Sequence, residues 1–417
     1  MMENVKQHEP IRNSLEQLGV GKTVLLGLQH TFTMFGATVL VPLLTGLNVS
    51  VALFMAGVCT LIGHFIMKNR VPVFLGSSFA FIAPIGAAVA LASANGIDNG
   101  LPYATGGIVV AGLLYVVVAV LIYFFGVEKV ISFFPPIVTG PIIMVIGLKL
   151  APTAISMSSE NWFLAIVAFL VVVVINVFVK GFLNLVPVIC GLIVGYVVAI
   201  ITGNVDFTAV QEAAWFGLPD FTIAKFDFQY IMVIAPVALA TIVEHIGDVI
   251  AIGATVEDDF TKDPGLHRTM LADGLMTSLS ALVGGPANTT YSENTGVLAL
   301  TRVWDPLVMK IAAGFAIILG GLPKLAAIIS TIPNAVVGGI SIILFGMIAA
   351  IGLRTVVENK VDFTKSRNLI IAATILVLGL GGAVLPINLG SISFSMEGMA
   401  LAAIVGIILN KLLPEAQ

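Results

Sequence analysis

The sequence predicts an all-α polytopic membrane protein, and three observations carry that prediction. The chain is 58% hydrophobic and only 10% charged, whereas soluble domains have about 25% charged residues. Apolar runs of about 20 residues recur from end to end, each long enough to cross a hydrocarbon core of about 30 Å. Lys and Arg collect in alternate connections, as the positive-inside rule expects. The small net charge of −4 and the lack of a basic patch speak against a nucleic-acid partner. The 42 glycines point to close helix packing and broken helices rather than disorder.

Residues 1–22 are polar and lack the pattern of a signal peptide, so they read as a cytoplasmic lead-in, partly helical. Fourteen spans follow, near 23–44, 49–67, 76–94, 104–126, 131–149, 162–179, 183–202, 228–252, 266–284, 287–301, 305–322, 334–352, 368–386 and 393–412. Two are poor as simple helices. The third follows the extended-looking VPVFLGSS, and the tenth opens on GGPANTTYSEN. Non-helical backbone at membrane depth is tolerated only where protein or a polar cavity buries it. The connection 203–227 is acidic and reads as an outer surface loop.

With the N-terminus inside, 15 of the 19 basic residues fall on the inner side, from Lys6 and Arg12 to Arg367 and Lys411. That asymmetry predicts an even number of spans and two cytoplasmic termini. A repeat supports the count. FPPIVTGPIIMVIG from Phe134 matches IPNAVVGGISIILF from Ile332 at Pro135/Pro333, Val138/Val336, Gly140/Gly338 and Ile142/Ile340. This pairs span 5 with span 12, so spans 1–7 pair with 8–14. Seven is odd, so the second copy enters the membrane upside down. The two irregular spans, 3 and 10, then correspond, and such a pair is a pointer to a transporter's binding site.

The costliest residues lie near those segments. Glu244, His245 and Asp248 sit in span 8 and Glu293 in span 10. A carboxylate at the bilayer centre costs roughly 2.5–3.5 kcal/mol and marks a substrate or proton path. Glu244 and Asp248 are four apart and share a helical face. Two carboxylates that close in a low dielectric cannot both ionise cheaply, which is the basis of a proton-coupled site. His245 points elsewhere and reads as a helix-packing residue. Glu293 follows an extended run, where free N–H groups at a broken helix suit carbonyl oxygens or anions. Phe79, after Gly76-Ser77-Ser78, offers an N–H and a ring for a planar ligand. His30 in span 1 is a second candidate for coupling or for a structural hydrogen bond. Asp273 and Glu397 read as helix contacts. Cys59 and Cys190 read as small buried hydrophobes, and neither metal-type spacing nor a cofactor motif is present.

These residues sit in stretches that resemble the nucleobase–ascorbate transporter family, most closely its bacterial uracil permeases. Glu293-Asn294-Thr295-Gly296 through Thr301-Arg302 fits the family signature [Q/E/P]-N-x-G-x-x-x-x-T-[R/K/G]. LQHTFTMFGATVLVP, PVFLGSSFAFIAP, VEHIGD and DPGLHRTMLADGL are also similar, and the likeness runs from about residue 23 to 412. The resemblance implies two inverted seven-span repeats with short strands in spans 3 and 10. It implies a core domain of residues 23–126 and 228–330 and a gate domain of 127–202 and 331–417. It implies a homodimer in the cell membrane that takes up uracil or a related nucleobase with protons. Glu244 and Glu293 would hydrogen-bond the ring, and the N–H groups of Phe79 and Ser292 would meet its carbonyls. Ala37, Tyr291 and Phe345 would line the pocket, while Asp248, Glu244 and His30 would handle the proton. The sequence departs from the uracil pattern at three of these positions. Asp248 replaces a histidine, as in purine-transporting relatives, Ser292 replaces a glycine, and Phe345 a tyrosine.

Proton-coupled uracil uptake is therefore the leading expectation, with a xanthine or urate carrier of the same family as the alternative. An intramembrane enzyme lacks a nucleophile–base pair or metal ligands. A channel would place like residues around an axis, whereas these carboxylates lie in non-equivalent segments.

Overall fold

The computed structural model of the chain describes residues 10–389 and 392–414. Among them, fourteen helices have ten residues or more. They are α1 (Val20–Thr45), α2 (Val49–Ile66), α3 (Ile82–Ala94), α4 (Leu101–Phe125), α5 (Pro136–Lys149), α6 (Trp162–Phe178) and α7 (Pro187–Ile201), then α8 (Ala238–Val256), α9 (Leu266–Leu282), α10 (Ser292–Thr301), α11 (Pro306–Gly320), α12 (Asn334–Glu358), α13 (Ser366–Leu380) and α14 (Gly398–Leu412). The strands are β1 (Leu75–Ser77), β2 (Asn288–Thr290), β3 (Val384–Leu389) and β4 (Ile392–Glu397).

Six helical stretches are long and apolar enough to cross a membrane alone. They are α1, α2, α4, Pro136–Ser159, Phe228–Val256 and α12, and α11 with Pro323–Ser330 makes a seventh if that pair, bent by 80°, counts as one span. Five shorter apolar helices join them, including Phe79–Ala94. Helix is the outcome because a backbone inside hydrocarbon has to satisfy its own hydrogen bonds. α4 shows how its residues are sorted. Leu113, Val117, Val120, Leu121 and Phe124 form one exposed apolar face, suited to lipid. On the opposite side Gly112 meets Gly274 of α9, and a Cβ on Gly112 would lie 2.5 Å from the Gly274 carbonyl oxygen. Two glycines let the backbones approach that closely.

Contacts among the helices fall into two sets. α4 packs on α9, α2 on α11 and α9, and α1 on α11. α5 and α6 pack on α12, α13 packs on α14 and α5, and α6 packs on α7. The sets meet mainly where α1 touches α7, α8 touches α5 and α14, and Phe228–Ile234 touches β4.

β1 and β2 pair antiparallel, with Leu75, Gly76 and Ser77 opposite Thr290, Thr289 and Asn288. All six residues are buried. A threonine from the preceding helix holds the first residue of each strand. Thr60 of α2 donates its hydroxyl to the Leu75 carbonyl at 3.2 Å and accepts from the Leu75 N–H at 2.9 Å. Thr277 of α9 does the same to Asn288, at 3.0 and 3.1 Å.

The lead-in contains a short helix, Ser14–Leu18, and packs on the segment before α11. Ile11 bridges to Val303, the Ser14 N–H and hydroxyl both donate to Asp305 at 2.8 and 2.7 Å, and Arg12 lies over Trp304. α1 begins at Val20, three residues before the expected span; Lys6 lies outside the described residues. Near the C-terminus, helix was expected through 386 and again from 393. Instead α13 stops at Leu380, α14 starts at Gly398, and β3 and β4 form an antiparallel hairpin between them. Pro386 removes a helical donor, and VLPINL and ISFSME carry isoleucines, valine and phenylalanine in near-alternation, which suits extended chain better than helix. The side chain of Glu397 at the end of β4 lies outside the described ones.

Candidate functional site

Each of the strands β1 and β2 runs, after one linking residue, into the N-terminus of a helix. Ser78 links β1 to a 3-10 turn, Phe79–Phe81, that leads into α3. Tyr291 links β2 to α10, which opens at Ser292. Counting from the strand ends, Phe79 corresponds to Ser292 and Ala80 to Glu293. A helix start exposes N–H groups without intrahelical partners, so this crossed pair presents two sets of donors inside the protein.

Tyr291 fixes the crossing. Its hydroxyl donates to the Ser77 carbonyl at 3.1 Å and accepts from Thr38 of α1 at 3.2 Å. The Ser77 hydroxyl donates to the Thr38 carbonyl at 3.1 Å. The Tyr291 ring lies over Gly76, where any Cβ would overlap it, so β1 needs glycine there. One turn into α10, the Asn294 amide donates to both Nδ1 and the carbonyl oxygen of His30, at 3.0 and 3.2 Å. A carbonyl only accepts, so the amide nitrogen faces His30, Nδ1 accepts, and the ring hydrogen sits on Nε2.

A cavity of about 250 Å³ lies beside this crossing. α1 contributes Phe32, Thr33 and Ala37; α10 contributes Ser292, Glu293 and Gly296; α12 contributes Leu344 and Met347. Val172 and Asn176 of α6 and the 184–189 segment leading into α7 complete it. The volume is below the roughly 300–1,000 Å³ of sites for drug-sized ligands, which suits a single small ring. The walls are largely apolar, and the ionisable group on them is Glu293.

The expected residues are distributed unevenly around this cavity. Ala37, Ser292 and Glu293 line it. Asp248 reaches it indirectly, accepting a hydrogen bond from the Ser292 hydroxyl at 2.6 Å. Glu244 lies one turn before Asp248 on α8 and is half-buried. Tyr291 is buried behind the wall as the strand anchor. Phe345 is buried, and it shares an apolar cluster with Val41, Ile82, Leu150 and Phe79 rather than facing the cavity. His30 is buried against Asn294. His245 faces away from the cavity: its Nδ1 is 3.1 Å from Asp273 of α9 and its Nε2 3.1 Å from Thr269, and all three residues are buried. That pair ties α8 to α9, the helix-contact role expected of both residues. Asn176 and Asn184 were not singled out from the sequence. Their signal was a polar residue inside the apolar stretches VVVVINVF and GFLNLVPV, which single-sequence reading cannot tell from a helix-capping asparagine. Among the described residues no cluster of His, Cys, Asp and Glu could hold a metal ion.

Apolar helices with lipid-suited outer faces around a buried strand pair that leads into two helix starts define a multi-pass membrane transporter. Comparison with known proteins agrees. A family model described as "Permease family" matches residues 21–388. The uracil permease of Bacillus caldolyticus is 45% identical over 422 residues, covering 98% of this chain and 95% of the relative. The uracil permease of Escherichia coli (strain K12) is 41% identical over 400 residues, covering 93% and 90%. The transmembrane domain of the cyanobacterial bicarbonate transporter BicA superposes with a TM-score of 0.63 at 16% identity, covering 96% of this chain and 99% of that one; at that identity the likeness is one of fold. The chain belongs to the permease family of nucleobase–ascorbate transporters, and it is a transporter rather than an enzyme.

Proposed function

We propose that this protein carries uracil into the cell together with protons, by alternating access across the cytoplasmic membrane. The observation that carries the reading is the crossing of β1 and β2, which brings Glu293, the first residue of the family signature, and its neighbour Ser292 to the wall of a nucleobase-sized cavity. Near-full-length identity to uracil permeases supports uracil as the base. A purine is not favoured, since the relatives at 40–45% identity are named for uracil or, in one case, for pyrimidine.

In this reading Glu244 and Glu293 hydrogen-bond ring N–H groups, and the N–H groups of Phe79 and Ser292 meet the ring carbonyls. Ala37, Tyr291 and Phe345 shape the pocket, the last two from behind the wall. Asp248 with Glu244 takes the proton, with His30 as a further candidate. The chain has fourteen spans in two inverted repeats, with β1 and β2 in spans 3 and 10. The matching threonine clamps on Leu75 and Asn288 support the repeat. A core domain (23–126, 228–330) moves against a gate domain (127–202, 331–417), joined through the outer connection 203–227. The two sets of helix contacts support that division, and the cavity sits between them. The protein works as a homodimer in lipid, with both termini cytoplasmic, as the positions of Lys and Arg imply. Labelling from outside intact cells of a cysteine placed at Lys411 would sink the topology.

Competition tests the substrate. Uptake of labelled uracil should be blocked by excess uracil and resist excess xanthine or hypoxanthine; inhibition by xanthine at equal concentration would reverse the assignment. Thymine and cytosine in the same series report how closely the cavity fits the ring.

A further inference from the structure

We propose that Ser292 is a positioning residue that converts proton binding at Asp248 into a hydrogen bond to the substrate. The inference rests on the nucleobase-carrier reading above and extends it to a residue pair. Two departures from the uracil pattern, Ser292 and Asp248, are in direct contact. The Ser292 hydroxyl, on the cavity wall, donates to Asp248 Oδ1 at 2.6 Å across the α8–α10 interface.

The donor count makes this contact a switch. A serine hydroxyl has one hydrogen and two lone pairs, and an ionised carboxylate can only accept. While Asp248 is charged, Ser292 therefore spends its only hydrogen on Asp248 and offers the cavity lone pairs alone, which repel a carbonyl oxygen. When a proton from water adds to an Asp248 oxygen, the new carboxyl O–H donates to Ser292 Oγ. The hydroxyl hydrogen is released and rotates into the cavity, where a nucleobase carbonyl accepts it. One O–H bond forms, on Asp248, and no other covalent bond changes. The site loses one negative charge as the donor appears. By linkage, the substrate then strengthens proton binding by the same factor that the proton strengthens substrate binding.

Other titratable groups surround Asp248: Glu244 on the same helix, Glu293 on α10, Asp273 on α9 and Tyr115 on α4. Among the described residues Ser292 bonds to Asp248. The phenol of Tyr291 is committed to Ser77 and Thr38, and His245 to Asp273 and Thr269. Ser292 is thus the polar side chain that both faces the cavity and touches Asp248.

The test is equilibrium binding of uracil to purified full-length protein over a pH series. Wild type should bind more tightly on acidification by roughly 2- to 12-fold, the worth of one neutral hydrogen bond. Ser292→Ala should show the weaker, alkaline affinity at every pH, and Ser292→Thr should restore the pH profile. Asp248→Asn should show the tighter affinity at every pH, because its amide N–H donates to Ser292 as the neutral carboxyl does. Retention of the wild-type pH profile by Ser292→Ala overturns the proposal. A second readout needs no substrate. The infrared C=O band of protonated Asp248, identified by its loss in Asp248→Asn, should move in Ser292→Ala; an unmoved band overturns the proposal too. Failure of wild type to bind uracil at any pH would remove the substrate assignment, and the infrared band would still decide the switch.

Discussion

The two branches leaving the β1–β2 pair share a backbone and differ in chemistry. Each strand is three residues long, each is held at its first residue by a threonine two-way bond, and each leads after one residue into a helix start. On the first branch the opening residues are Phe79 and Ala80, and Phe79 packs with Phe345 and Ile82. On the second they are Ser292 and Glu293, both on the cavity wall. The comparison separates framework from function. Duplicated packing yields two sets of helix-end donors, and side chains on one branch supply charge and a hydroxyl.

Removing the charge from the second branch should have the largest effect. Glu293→Gln, and Glu244→Gln on the facing helix, are each expected to reduce uracil uptake to background while membrane expression stays normal. Loss of a charge-assisted hydrogen bond of about 2–3 kcal/mol corresponds to roughly 30- to 160-fold. Full uptake by either variant would take that carboxylate out of the mechanism.

Asp248→Asn should split transport in two. Uracil binding and exchange across the membrane persist, and accumulation driven by a proton gradient is lost. Binding and gradient-driven uptake by the same reconstituted variant measure both halves. Unchanged accumulation would move the proton to Glu244, Glu293 or His30; lost binding would make Asp248 a substrate ligand.

Steric changes probe the framework. Gly76→Ala drives a methyl group into the Tyr291 ring and should destabilise by about 1–3 kcal/mol, as overpacking does. Gly296→Ala on the second branch meets only Leu185, at 3.4 Å, and should leave the melting temperature nearly unchanged. Equal loss in both would mean that the strand crossing has no special tightness.

The smallest expected difference lies between the two clamps. Thr60→Val and Thr277→Val each strand one N–H and one carbonyl in a buried setting, at about 1–3 kcal/mol per unsatisfied group. Asn288 keeps a side-chain bond to the Met276 carbonyl at 3.2 Å, so Thr277→Val should be slightly the milder in thermal unfolding. A large gap between the two would break the symmetry of the branches.

Read alone, the sequence determined the membrane class, the helical character and the family. Those depend on composition, run length and a local signature, which survive without knowledge of contacts. It also singled out Glu244, Asp248 and Glu293, because a carboxylate in an apolar run is conspicuous wherever the run lies. The β3–β4 hairpin was missed because a short apolar stretch is equally good helix or strand until its neighbours are known. Tertiary structure decided the pairings. Ser292 touches Asp248 across 44 positions, Asn294 holds His30 across 264, and Tyr291 anchors Ser77 across 214. Phe345 is turned away from the cavity while Leu344 and Met347 face it. Hydrogen bonds of that kind require two distant segments to arrive at about 3 Å with a donor facing an acceptor. That geometry is set by glycine-tight helix packing, and the order of residues along the chain does not express it.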